Sequence, residues 1–132
     1  MTMERVDPAQ LQALCELAQL RKDRDLSELA RQRAEVAAIE AELAALDAAV
    51  ARAGAGAAEQ PDPVSLGALD DYQRLMRARR STLNLALAHA RVKSSEAQQQ
   101  AIRSTGQVEV LEQMQGLRAE ELRLKLARRD LG

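Results

Sequence analysis

His89 is the only histidine of the chain and Cys15 its only cysteine. With one imidazole, no His-based metal cluster or triad is expected. Cys15 lies among apolar and small residues in LQALCELA and reads as a small core residue rather than a nucleophile. A single thiol forms no internal disulfide and fits a reducing compartment. Carboxylates occur in close pairs, Glu40 with Glu42 and Glu120 with Glu121, but general acid–base work also needs a pocket that raises one pKa. A pair of long helices would offer none, and Glu120 and Glu121 have ready partners in Arg123 and Lys125. The run Ala53-Gly54-Ala55-Gly56 lacks the lysine and the preceding strand of a phosphate loop. The residues therefore predict a protein that is not an enzyme, with no catalytic residue, metal or cofactor.

The elements that would carry any function are helices. The chain has no Phe, no Trp and one tyrosine, Tyr72. Apolar residues make up 46 % of its 132 residues, yet most of these are Ala and Leu, which with Glu, Arg and Gln are strong helix formers. A rounded core needs aromatic and β-branched side chains to fill its volume. This composition instead predicts an all-α coiled coil. Its 19 basic and 20 acidic residues leave a net charge of −1, without the basic excess of a nucleic-acid binder. No run approaches ~20 uncharged apolar residues, so no membrane span is expected. The first residues, MTMERVDPAQ, lack the apolar core of a secretory signal. A cytoplasmic location is expected, with the membrane reached only through partners.

Breaks in the pattern set the boundaries. Asp7-Pro8-Ala9-Gln10 opens a helix, with Asp as N-cap, Pro at the first helical position and Gln10 placed for a capping box. Neither Gly nor Pro follows until residue 54. The stretch AGAGAAEQPDPVSLG then gathers two of the three prolines and predicts a loop over about 54–64. A second helix starts near Asp62 or Ser65, helped by Asp70 and Asp71, and runs to about 129. Gly106 and Gly116 weaken it by about 1 kcal/mol each without ending it. The expected fold is an antiparallel two-helix coiled-coil hairpin over 1–132, with helix one at about 7–53 and a longer helix two at about 65–129.

Heptads supply the seam. Val36, Ile39, Leu43, Leu46, Val50 and Ala53 follow steps of three and four. On helix two Leu69, Met76, Leu83, Ala90, Ala97, Ser104 and Leu111 recur every seventh residue, complemented by Leu87, Ala101, Val108 and Leu122. Leu11, Leu14 and Ala18 start the stripe of helix one. It blurs across RKDRD (21–25), which reads as a solvated segment or a stutter, and resumes at Leu29. Folding about residue 60 pairs position i with about 120 minus i. Helix two then overhangs helix one over 117–132, and Leu117, Leu122, Leu124 and Leu126 lack a partner within the hairpin. Away from the seam, Leu75, Ala78, Thr82, Leu85, His89 and Val92 repeat at steps of three and four and form a candidate partner-binding stripe. Arg74, Arg77, Arg79 and Arg80 flank it and could steer an acidic partner.

LQALCELA (11–18), and LDDYQRLM (69–76) opening helix two after a Gly/Pro/Ser loop, give the chain a resemblance to the FliJ family of flagellar type III export and its injectisome relatives of the YscO type. The charged end, LARRDL, fits as well. The resemblance covers most of the chain. It implies an antiparallel coiled-coil stalk whose paired terminal end is gripped by the hexameric export ATPase, while the start of helix two touches the export gate protein. Leu75 matches the exposed apolar position of that gate contact. Arg79, one turn on, departs from the apolar residue usual there. The expected partner-binding residues are Tyr72, Leu75, Leu85, His89, Val92, Leu117, Leu122 and Leu124. Two other readings use the same exposed apolar residues: a scaffolding coiled coil closing into a four-helix homodimer, and an export chaperone.

Overall fold

The structure, a computed structural model, describes residues 7–131. Two helices account for nearly all of them, α1 at Pro8–Glu59 and α2 at Pro63–Leu131. They pack against each other as an all-α hairpin with no strand among the described residues.

Both helices open on the same local chemistry. Asp7 Oδ1 accepts the Ala9 N–H at 3.1 Å, and the Asp7 carbonyl accepts the Leu11 N–H at 2.9 Å. Asp62 Oδ1 accepts the Ser65 N–H at 2.8 Å, its Oδ2 accepts the Ser65 hydroxyl at 2.9 Å, and its carbonyl accepts the Leu66 N–H at 2.9 Å. Each aspartate precedes a proline whose missing N–H costs nothing in the first turn. The bonds from the Ser65 backbone and then its hydroxyl hold the Asp62 carboxyl below its ordinary value of 3.8.

The turn is shorter than the sequence implies. Helix α1 passes through Gly54 and Gly56 and ends at Glu59, leaving only Gln60, Pro61 and Asp62 between the helices. None of the described glycines has a positive φ. The two glycines cost the helix about 1 kcal/mol each but alternate with alanines, the best helix formers. Pro61 is what stops it, because proline drives the preceding residue out of the α region and offers no donor.

By contacts the chain divides into two units, Ala30–Ser95 and Met1–Leu29 with Glu96–Gly132. In the first, which contains the turn, Ile39, Leu46, Leu83, Leu87 and Ala90 are buried together, with Val36, Leu43, Val50, Met76 and Ala86 packed around them. Glu40 accepts from Arg91 at 3.3 Å and Glu42 from Arg79 at 3.4 Å, and Asp47 pairs with Arg80. In the second unit, Leu29, Ala97 and Ala101 form a small cluster, and Leu11, Ala18 and Val108 are also buried. Both units are antiparallel pairs.

The second unit revises three expectations. First, RKDRD neither stutters nor leaves the seam. Leu11, Cys15, Ala18, Lys22, Asp25 and Leu29 of α1 are buried or half-buried at alternating steps of four and three, with Glu28 half-buried beside Leu29. Asp25 is 6 % exposed and Ser104 across from it 2 %, and the Ser104 hydroxyl donates to the Asp25 carboxylate. Arg24 adds contacts at 3.2 Å from Nε and Nη2. The seam is kept by exchanging an apolar pair for a hydrogen-bonded polar one. Second, the seam residue after Leu11 is Cys15, half-buried, while Leu14 is 48 % exposed. Third, Gln12 meets Gln115 at 2.9 Å and Asp25 meets Ser104, so position i faces about 128 minus i rather than 120 minus i. The overhang shortens accordingly. Burial on α2 ends at Arg118, residues 119–131 are all exposed, and Leu122 lies outside the seam at 54 % exposure.

Candidate functional site

The unit that contains the turn carries the outward stripe. Leu75, Leu85 and Val92 are 64, 63 and 58 % exposed, and Ala78, Thr82 and His89 are exposed between them. The cause is position. Met76, Leu83, Leu87 and Ala90 take the seam, and residues one or two steps off it are rotated by about 100° per residue toward water. Thr82 turns its hydroxyl back to the Ala78 carbonyl at 3.2 Å, which leaves its methyl group on the surface.

Two of the expected residues sit differently from the rest. Tyr72 is half-buried and lines a groove with Ala53, Gly56, Ala57 and Leu69. It is therefore less exposed than Leu75, Leu85 and Val92. His89, itself exposed, lines a shallow groove with Arg31, Glu35 and Lys93.

The basic flank is largely neutralised within the chain. Arg74 pairs with Asp70 at 2.9 Å, Arg79 with Glu42 at 3.4 Å, and Arg80 with Asp47. Of the four arginines only Arg77 lacks an ion pair among the described residues. The stripe is thus an apolar surface in a charge-balanced setting, where attraction of an acidic partner over distance is weak.

In the other unit, α2 continues the exposed apolar series with Leu117, Leu122, Leu124 and Leu126 at 60, 54, 48 and 58 %. A second surface there was not legible in the sequence. Leu14, Leu17 and Ala18 of α1 face Gly106, Val110 and Leu111 of α2 across a groove, with Arg21 and Arg103 also lining it. Leu14, Leu17 and Val110 are 48, 46 and 55 % exposed. The signal was available only after the register was known, because each helix contributes half of the lining.

No group of three or more His, Cys, Asp or Glu side chains converges as a metal site among the described residues. None of the described helices is long and apolar enough to cross a membrane. No protein-family model, curated protein or solved structure matches the chain.

Proposed function

We propose that the chain is a non-enzymatic coiled-coil protein that acts by docking on other proteins, and that its setting is the stalk of a flagellar or type III export apparatus, contacting the export ATPase ring and the export gate. The observation that carries the docking reading is the outward stripe of α2. Leu75, Leu85 and Val92 are each about three-fifths exposed, while three of the four arginines beside them, Arg74, Arg79 and Arg80, are paired within the chain. Fully burying a side chain of this kind contributes about 1.5–3 kcal/mol, and these three, already partly covered, would contribute somewhat less each to a contact that a partner's other residues complete. The resemblance of LQALCELA and LDDYQRLM to the FliJ family supplies the identity of the partners. A stalk catalyses nothing itself. It biases the conformations of a ring by binding some of its interfaces better than others.

The test is co-purification with a hexameric export ATPase, together with measurement of its ATP turnover. The chain is expected to bind the ring and change its rate. In a separate measurement, Leu75→Asp with Leu85→Asp is expected to weaken binding to the gate protein without loss of helicity. If neither binding nor turnover responds, the export setting is wrong. Light scattering separates the scaffolding reading, since a mass of about twice the monomer in the absence of any partner would favour the homodimer.

A further inference from the structure

The groove of the second unit is one-sided in a way that specifies a ligand. On α1, Leu14, Leu17 and Arg21 each precede a seam residue by one position (Cys15, Ala18 and Lys22), whereas Gln12, Glu16, Gln19 and Asp23 each follow one. One step along a helix is about 100°, so the two sets lie on opposite sides of the seam. The following set is polar and satisfied locally: Gln12 donates to Glu16 at 3.2 Å, Gln19 to Asp23 at 3.0 Å, and Gln115 to Gln12 at 2.9 Å. On α2, Arg103, Gln107, Val110 and Leu117 likewise precede Ser104, Val108, Leu111 and Arg118. The preceding side therefore carries the exposed Leu14, Leu17, Val110 and Leu117, with Gln107 and the bare backbone of Gly106 between the apolar residues of α2 and Arg103.

Charge closes one end of this face. Arg21 and Arg103 line the same groove, and neither has an ion pair among the described residues. Two cations held near each other without a counter-ion, beside a strip of leucine and valine, favour an anionic group at that end. From Arg103 to Leu117 the face extends about 21 Å at 1.5 Å per residue, roughly four helical turns. A groove between two antiparallel helices is the natural seat of a third, which completes ridge-into-groove packing on both.

We propose that this groove is the docking site for an amphipathic α-helix of a partner protein, about four turns long, whose apolar stripe packs on Leu14, Leu17 and Val110 and whose acidic end pairs with Arg21 and Arg103. The site stands on residues other than those of the α2 stripe and does not depend on the export setting.

Gly106 offers a variant that separates binding from folding. A Cβ built there meets nothing within 4 Å, so Gly106→Leu keeps the hairpin, strengthens its helix and fills the groove. The probe is a fluorescent synthetic helix of about 18 residues with leucines at steps of three and four and glutamates at one end, compared with its twin ending in lysines. At low salt the full chain is expected to bind the glutamate peptide about tenfold more tightly than the lysine peptide, and Arg21→Glu with Arg103→Glu is expected to invert that order. The difference shrinks at high salt. Gly106→Leu is expected to abolish binding while its melting temperature stays level or rises. Equal binding of the two peptides, no binding of either, or retained binding by Gly106→Leu overturns the proposal. So does a homodimer that Gly106→Leu converts to monomer, because the occupant is then a second copy of the chain.

Discussion

Replacing Gly54 and Gly56 together by alanine tests where α1 ends. If the helix runs to Glu59, both positions are helical, neither has a positive φ, and an added Cβ meets no atom within 4 Å at either. Nothing then opposes the intrinsic gain from Gly to Ala in a helix interior, about 0.8–1.0 kcal/mol per site. Part of that gain arises in the unfolded chain, which has fewer conformations to lose. The side chains lie two positions apart and do not face each other, so the effects add to about 2 kcal/mol. For a chain of this length that is a rise of about 8 °C in Tm. Thermal and urea melts followed by far-UV circular dichroism read it directly, and amide hydrogen exchange over residues 53–59 shows where it arises. A loop at these positions gives a different result. Alanine in a segment mobile in both states leaves the melt unchanged, and alanine forced into a left-handed turn lowers it. Either outcome refutes the helical extension and returns the turn to about 54–64.

Leu83→Ala removes the α2 centre of the largest buried cluster, where Leu83 is 6 % exposed beside Ile39 and Leu46, and is expected to cost about 2–5 kcal/mol by urea unfolding. Leu85→Ala, two residues away and 63 % exposed, changes stability by less than about 0.5 kcal/mol. Ser104→Ala is expected to lower stability at neutral pH and to flatten its acid dependence. The Ser104 hydrogen bond is the largest influence holding the Asp25 carboxyl below its ordinary 3.8, aided by Arg24 and opposed by desolvation. A carboxyl with a depressed folded pKa stabilises above its unfolded value and loses that contribution as pH falls through the folded one. Acid melts between neutral pH and about pH 2 should therefore fall more steeply for the parent chain than for the variant.

The hairpin itself was legible because composition and period agree. Helix formers dominate, apolar residues recur at steps of three and four, and Asp-Pro occurs before each helix. The turn is harder to place, because glycine and proline both read as breaks in the sequence. Gly54 and Gly56 only cost helix stability, whereas Pro61 forbids continuation. The pairing of the second unit is set by the residues that meet there, Gln12 with Gln115 and Asp25 with Ser104, and burial on α2 ends at residue 118. The Tyr72 position could not be read, since its half-buried setting is beside a groove whose other wall, Ala53, Gly56 and Ala57, belongs to α1 and is placed only by the pairing of the helices.

RKDRD and the groove beside it share one cause. A stripe is read in sequence by asking whether a seam position is apolar, and Lys22 and Asp25 fail that question. In the folded pair the relevant question is whether the two residues that meet can satisfy each other. Asp25 meets a hydroxyl from Ser104, and Lys22 can lay its methylenes along the seam and carry its ammonium out to water. The heptad continues through both. A polar pair inside an otherwise apolar seam resists sliding, because a shift of either helix by one heptad would bury the carboxylate against apolar side chains. That fixes which flank residues of α1 face which of α2, and so brings Leu17 opposite Val110 and Arg21 near Arg103. The outer apolar face is thus a consequence of the register that Asp25 and Ser104 enforce. A substitution such as Asp25→Leu, which lets the helices slip, would be expected to disperse that face even where the helices remain intact.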